Sequence, residues 1–293
     1  YMPEWKNVMV RKTGGDGTEY TEPCKGYVKV RDLFSMSAGL DYSTERPSIA
    51  KALSDLAPSC PTRKICAAMA GDPLLFEPGT HWNYSFCHDV LAALVEVVSG
   101  MRMRDYAKKY IFDPLGMNNT SYGMGDSPLR MAKIYQFSDE EGRYSELPGQ
   151  NNYYIFGPEY DSGGAGVVST VEDMAVFMHT LALGGTSANG VKILSPSTVA
   201  LMKENTLDPV ALKDFNWSPL CGYGYGLGVR TLISKAAGGS PSPLGEFGWT
   251  GAAGAYVLID TENRLSMFYA HHMLNNQEWY TASRLRNILY SCL

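Results

Sequence analysis

Long apolar runs are missing from this sequence, and none approaches the ~20 residues that a membrane-spanning helix needs. Basic blocks are missing too. The 293 residues carry a net charge of −5 without a Lys/Arg cluster, which makes nucleic acid and anionic membrane poor partners. Histidine is scarce, with five copies, none at metal-ligand spacing. His271 and His272 are adjacent, so on a strand they point to opposite faces. No metal and no cofactor is expected. The six cysteines (Cys24, Cys60, Cys66, Cys87, Cys221, Cys292) include no CxxC pair. Two readings stand for them: Cys60 and Cys66 bridge a loop, or the thiols are free in a reducing compartment, which slightly favours the cytoplasm. Internal repeats and low-complexity segments are also absent.

What is present is globular. The chain is 45% apolar, 12% aromatic and 19% charged, long enough for one large domain or two ordinary ones. Residues 12–23 read as a polar, Gly-rich loop, and Val28–Met36 as a short strand or turn leading into a helix. Residues 41–72 carry turn residues with a weak helical pattern (Ile49, Leu53, Leu56) and read as a loop-rich cap. A helix then places Val90, Leu91, Leu94, Val95 and Val98 on one stripe, stopped by Gly100, with His88 on its polar side. A second, with Met103, Tyr106, Ala107, Tyr110 and Ile111, ends before Pro114. Residues 118–158 are polar and aromatic with little periodicity. Ser169-Thr170-Val171-Glu172 reads as a capping box for the clearest helix, with Met174, Ala175, Met178, Leu181 and Ala182 on its face. Ser195-Pro196 opens a short helix. After Leu220 the pattern turns to strands at 223–229, 246–251, 253–260 and 265–270, with a hairpin turn at 261–263 and a closing helix from Tyr280.

The stretch Pro78-Gly79-Thr80-His81-Trp82-Asn83-Tyr84-Ser85 runs straight into the first of those helices. A phenol near a helix entrance, where N–H groups are unpaired, is placed to exchange protons with a substrate. Its other reading is a buried aromatic with a tied hydroxyl. Ser37 and Ser162 sit beside Gly but outside Gly-x-Ser-x-Gly, and Gly163–Gly166 lacks the Lys-Ser/Thr of a phosphate cradle.

Five blocks occur in order: Val30-Arg31-Asp32-Leu33 with Ser37-Ala38-Gly39-Leu40; Pro78-Gly79-Thr80 through Tyr84-Ser85; Ile111 to Met117; Ser162-Gly163-Gly164 through Ser169-Thr170; and Gly248-Trp249-Thr250-Gly251. Together they resemble the serine β-lactamase / penicillin-binding-protein superfamily, in its class C-like branch with the family VIII carboxylesterases. The resemblance implies an α+β, transpeptidase-like fold: an antiparallel sheet flanked by helices, plus a mainly helical domain. It divides the chain into a linker at 1–30 from a missing N-terminal segment, a helical domain at 31–215, and a sheet with C-terminal helix at 216–293.

The chemistry it implies is acyl transfer through a serine ester, on a small-molecule ester or amide. Tyr84 matches the catalytic Tyr that shuttles the proton. Penicillin-active members carry Asn two residues later, where this chain has Phe86. Trp249, Thr250 and Gly251 match the third, substrate-binding motif, with Trp in place of the β-lactamase Lys, and the Ala252 N–H matches half of the oxyanion hole. The blander reading of Trp249 is a core aromatic. Ser48-Ile49-Ala50-Lys51 is the Ser-x-x-Lys match, but it follows the Ser-Ala-Gly-Leu block that the family's nucleophile precedes. The expectation is therefore an esterase whose Ser and Lys lie upstream of Tyr1, inactive as this chain. The alternatives are a β-lactamase or D-amino-acid peptidase, and a non-catalytic binding module that keeps the fold.

Overall fold

The computed structural model describes residues 1–123, 131–148 and 155–293, with only the backbone of Trp279. Its packing divides the chain into two units. One comprises 1–108, 152–167 and 207–215; the other comprises 109–151, 168–206 and 216–293. One break falls at 215/216, where a boundary was expected, but the units are not contiguous: 109–151 and 168–206 pack with the second.

In the first unit, strands β1 (Met9–Thr13) and β2 (Glu19–Pro23) pair antiparallel from Met9↔Pro23 to Thr13↔Glu19. The Gly-rich loop of the sequence reading is thus the tip of a hairpin, closed where the Gly14 N–H donates to the Thr18 carbonyl at 2.8 Å. β1 is held from its other side, since the Arg11 N–H donates to Leu74 O and the Leu74 N–H to Met9 O, both at 2.8 Å. Trp5, Val8 and Val10 are buried. Each such burial is worth about 1.5–3 kcal/mol, so these three residues of the segment read as a linker belong to the core of the first unit, while most of 1–30 is exposed.

Helix α1 (Val30–Phe34) follows, then α2 (Pro47–Leu56) and α3 (Thr62–Ala68) where a loop-rich cap was expected. Helix α4 (Cys87–Ser99) forms as predicted and ends at Gly100 with φ +69°. Its buried face differs from the predicted stripe: Cys87, Asp89, Val90, Ala92 and Ala93 face inward, while Val98 is exposed. The small alanines let neighbouring backbone approach, and Asp89 goes inward because it has partners there. Helix α5 (Met103–Ala107) leads into the second unit.

The second unit is a three-layer arrangement. A five-stranded antiparallel sheet is formed by β5 (Tyr223–Tyr225), β6 (Arg230–Leu232), β7 (Phe247–Gly248), β8 (Tyr256–Asp260) and β9 (Leu265–Tyr269), in the order β9-β8-β7-β6-β5. Helix α6 (Val171–Ala182) and α7 (Pro196–Met202) cover one face, where Met178, Leu181, Ala182 and Val199 meet Phe247 and Ile259. Helix α8 (Glu278–Tyr290) covers the other, where Ala282 and Tyr290 meet Tyr256 and Leu258. Strand β8 therefore sends alternate residues to opposite helices. The β8–β9 hairpin closes at the predicted turn, with Asp260 Oδ1 accepting from the N–H groups of Glu262 and Asn263 at 2.8 and 3.1 Å. Two further strands, β3 (Tyr135–Ser138) and β4 (Arg143–Glu146), pair antiparallel within the stretch read as aperiodic. The rest of that stretch, at 124–130 and 149–154, lies outside the described residues.

The cap of α6 sits one residue later than expected. Thr170, not Ser169, is the N-cap, its hydroxyl accepting from the Asp173 N–H at 3.2 Å. Ser169 instead hydrogen bonds the Thr120 hydroxyl at 2.7 Å.

Candidate active site

In the first unit, the segment carrying Tyr84 is held by the chain that leaves α1. The Gly79 N–H donates to Ser37 O at 2.8 Å, the Asn83 N–H to Met36 O at 2.9 Å, and the Phe86 N–H to Asp41 O at 3.2 Å. The Asn83 side-chain amide donates to Leu40 O at 2.7 Å. Gly39 makes this lamination possible: it has φ +86°, and a Cβ there would come within 2.5 Å of the Phe76 carbonyl. Asp214 pins the middle of the segment, with Oδ2 accepting from the Trp82 N–H at 3.1 Å and lying 2.9 Å from His81 Nδ1.

Tyr84 is half-buried among rings. Its centroid lies 5.2 Å from Tyr42 and 6.3 Å from the stacked Trp82. Phe86 is 1% exposed and packs edge-on against Tyr42 at 4.6 Å. The position where penicillin-active relatives of the resembled branch carry Asn is here a core aromatic, with no donor or acceptor to offer.

Behind these rings lies a polar cluster that periodicity could not reveal. Asp89 is fully buried, and its Oδ1 accepts from the Tyr160 hydroxyl at 3.0 Å. Burial pushes its pKa up to about 6, although the Ser162 hydroxyl and the Gly163 N–H pull it down. Gly163 has no room for a side chain beside the His88 carbonyl, and a Cβ on Gly164 would meet the Tyr42 hydroxyl at 2.9 Å. The Ser162-Gly163-Gly164 block therefore serves as close backbone packing against α4 and Tyr42. His88 was expected on the polar side of α4. Its pKa is instead pushed down to about 4 by burial.

In the second unit, Trp249, Thr250, Gly251 and Ala252 form the exit of β7 and the turn into β8. The Val257 N–H donates to Trp249 O at 2.8 Å, Gly251 N–H to Ala255 O at 2.7 Å, and Gly254 N–H to Gly251 O at 2.8 Å. Gly248 lies so close to the Val257 carbonyl that a side chain would displace the strand. Trp249 is half-buried, edge-on to Tyr225 at 5.3 Å and 6.3 Å from Trp217. Burial raises the Glu278 pKa, and the neighbouring Thr250 side chain opposes that rise. Ala252 is exposed, its carbonyl accepts from Asn276 Nδ2 at 3.1 Å, and among the described residues its N–H donates to nothing. His271, set aside in the sequence as unfit for metal, packs its ring directly over Gly254, with Nδ1 2.9 Å from the Tyr269 hydroxyl. It buttresses the turn that presents Ala252.

A profile of the beta-lactamase family matches residues 2–289. The chain belongs to this family. Among curated family relatives, an uncharacterized protein of Mycobacterium tuberculosis is 28% identical over 277 residues, covering 92% of this chain and 68% of its own length. Esterase EstB of Burkholderia gladioli is 29% identical over 213 residues, 68% of this chain and 51% of the esterase. The chain thus spans about half the length of that esterase. Among solved structures, EstCE1, described as a hydrolase with promiscuous acyltransferase activity, superposes with a TM-score of 0.74 at 23% identity, covering 98% of this chain and 74% of its own. The family fold, with antiparallel sheets and helices in an α+β arrangement, is the one the five sequence blocks implied.

At the chain's Ser-x-x-Lys match, the Lys51 ammonium and the Ser48 backbone are both engaged with carboxylates. Ser48 lies in the first turn of α2, where its N–H donates to Asp72 Oδ1 at 3.1 Å. The Lys51 side chain is 74% exposed and pairs with Asp55 one turn on, so it is not available to take a proton from Ser48. Cys60 and Cys66 are free thiols. Among the described residues no helix is long and apolar enough to cross a membrane.

Proposed function

We propose that this sequence is the substrate-binding and proton-transfer part of a serine hydrolase acting on small carboxylic esters. The observation that carries this reading is the setting of Trp249. Where β-lactamases of the resembled branch hold a Lys to meet a substrate carboxylate, an indole packs against Tyr225 and Trp217. An aromatic wall favours a neutral acyl or alkoxy group, and taking a carboxylate into it without a cation is costly. The buried Phe86 supports the same preference, since the amide-recognising Asn is replaced by a ring in the core.

In this mechanism Tyr84 passes the proton between nucleophile and leaving alkoxide. The exposed Ala252 N–H donates to the carbonyl oxygen as it becomes an oxyanion. Thr250 orients the ester, with the Glu278 carboxyl as its neighbour. A phenol needs a nearby ammonium to act as a base near neutral pH, and Lys51 is paired with Asp55 in solvent. The reading therefore does not use Ser48 and Lys51 as the serine and lysine of the acyl-enzyme. In the complete gene product, p-nitrophenyl butyrate is expected to be hydrolysed well and nitrocefin poorly. Tyr84→Phe lowers kcat on the ester by about 10²-fold or more, the scale of general acid–base catalysis. Nitrocefin turnover equal to ester turnover overturns the ester preference, and unchanged kcat in the variant removes Tyr84 from the mechanism. A non-catalytic binding module is the outcome if a fluorophosphonate fails to label the complete protein.

A further inference from the structure

Residues 207–215 come late in the chain yet pack in the first unit, and none of the five family blocks contains them. The segment is fixed from within. Asp208 Oδ1 accepts from the N–H groups of Val210 and Ala211 at 2.9 and 2.8 Å, where a short helix, Ala211–Asp214, begins. Leu207, Ala211 and Phe215 are buried. Asp214 is the last residue of that helix. A carboxylate is disfavoured in a last turn, where the carbonyl dipoles point outward, so the helix itself gives no reason for an aspartate there. Its partners lie on another segment.

Both partners belong to the stretch that carries Tyr84. Trp82 is 5% exposed, so its backbone N–H needs an acceptor inside the protein, and Asp214 Oδ2 supplies one at 3.1 Å. The same oxygen lies 2.9 Å from His81 Nδ1. A carboxylate offers acceptors only, so Nδ1 carries the proton, and the imidazole is held beside the Phe76 ring at 5.3 Å. Phe215, the next residue, meets the Trp82 ring edge-on at 4.8 Å. Trp82 in turn is stacked on Tyr84, 21° from parallel with centroids 6.3 Å apart. Two consecutive residues thus hold the backbone and the ring of Trp82, and Trp82 forms one wall for Tyr84.

We propose that Asp214 is a positioning residue for Tyr84: its Oδ2 fixes the backbone at Trp82 and the ring of His81, and through the stacked indole it sets where the Tyr84 phenol points. The inference rests on the reading of Tyr84 as the carrier of the proton. A proton passes only where donor and acceptor come within hydrogen-bond reach, so a small displacement of the carrier lowers turnover. The aromatic wall at Trp249 is not part of this contact, so substrate affinity is expected to stay. The effect of Asp214 therefore falls on kcat and spares KM.

Two measurements test it, one of which needs no turnover. In the 293-residue chain with labelled tyrosine, the Tyr84 ring signals are followed by NMR, with tyrosines of the second unit as controls. Asp214→Ala is expected to shift and broaden the Tyr84 signals. Asp214→Glu, which keeps the charge but moves the acceptor by one carbon, shifts them too. Asp214→Asn, whose amide oxygen still accepts from the Trp82 N–H, leaves them near their original place. In the complete gene product, kcat on p-nitrophenyl butyrate falls about 10-fold or more in the Ala and Glu variants with KM within about 2-fold, and the Asn variant stays within about 3-fold of the unmutated enzyme. Unmoved Tyr84 signals in Asp214→Glu overturn the proposal, even if the Ala variant does not fold. So does a loss of kcat matched by a rise in KM, or an Asn variant no better than Glu. Shifted Tyr84 signals with unchanged kcat in every variant, Tyr84→Phe included, keep the contact but remove Tyr84, and Asp214 with it, from the chemistry.

Discussion

His88 and Asp89 are consecutive on α4, and burial drives their titrations in opposite directions. The His88 pKa, pushed down to about 4, lies below the ordinary histidine value of 6.5. Between those pH values the unfolded chain binds the extra proton, so this residue's contribution to stability is present above 6.5 and lost as pH falls toward 4. Asp89, pushed up to about 6 from 3.8, does the reverse: the folded protein holds the proton, and stability is lost as pH rises from 3.8 to 6. Each shift corresponds to on the order of 3 kcal/mol, so the two slopes nearly cancel between pH 4 and 6. Asp89→Asn is expected to expose the His88 slope, so that its urea midpoint climbs from pH 4 to 6.5 more steeply than that of the unmutated protein. His88→Gln exposes the Asp89 slope, and its midpoint falls over pH 4 to 6. Parallel pH profiles for all three proteins would contradict the assignment of these two groups.

At the scale of elements, α6 and α4 differ in how much a sequence can say. Helix α6 packs one face on one sheet, so its apolar residues repeat at helical spacing and its presence and length were legible. Helix α4 is packed on several sides, and its inward residues include an aspartate whose hydroxyl partner, Tyr160, is 71 positions away. No local pattern carries that information, so the stripe was read one face too far round. Strand β6 was missed for a related reason: Arg230, Thr231 and Leu232 are all buried, without alternation, and the arginine is tolerated because Glu246 and the Tyr256 ring receive it. Caps are legible to within a residue. At α6 the hydroxyl that satisfies the Asp173 N–H belongs to Thr170, and Glu172 is exposed. Thr170→Ala is expected to cost about 1 kcal/mol of stability, against less than about 0.5 for Glu172→Ala, by urea or thermal unfolding of the whole chain. The reverse ranking would restore the cap to Ser169.

At the scale of the whole molecule, the five blocks that identified the family are shared between the two packing units. Those around Ser37 and Tyr84 fall in one, those around Phe112 and Trp249 in the other, and the fourth is divided, with Ser162 in the first and Ser169 in the second. Their order along the chain was readable, because each is a short backbone solution: a glycine where carbonyl or ring leaves no space, an aromatic that packs edge-on. What joins them was not, since 152–167 and 207–215 return to the first unit after long excursions. The same logic governs activity. Tyr84 and Ala252 carry groups suited to proton transfer and oxyanion binding, yet Lys51 spends its charge on Asp55 in solvent, and the carboxylate beside Ser48, that of Asp72, accepts from the backbone N–H groups of Ser48 and Ile49. The 293-residue chain is therefore expected to show neither a burst nor steady hydrolysis of p-nitrophenyl butyrate above the rate in buffer, and no fluorophosphonate adduct. An adduct mapped by mass spectrometry to Ser48, abolished in Ser48→Ala, would sink this expectation. It would also require the Lys51 side chain to leave Asp55 and turn to Ser48, its i−3 neighbour on the same helix.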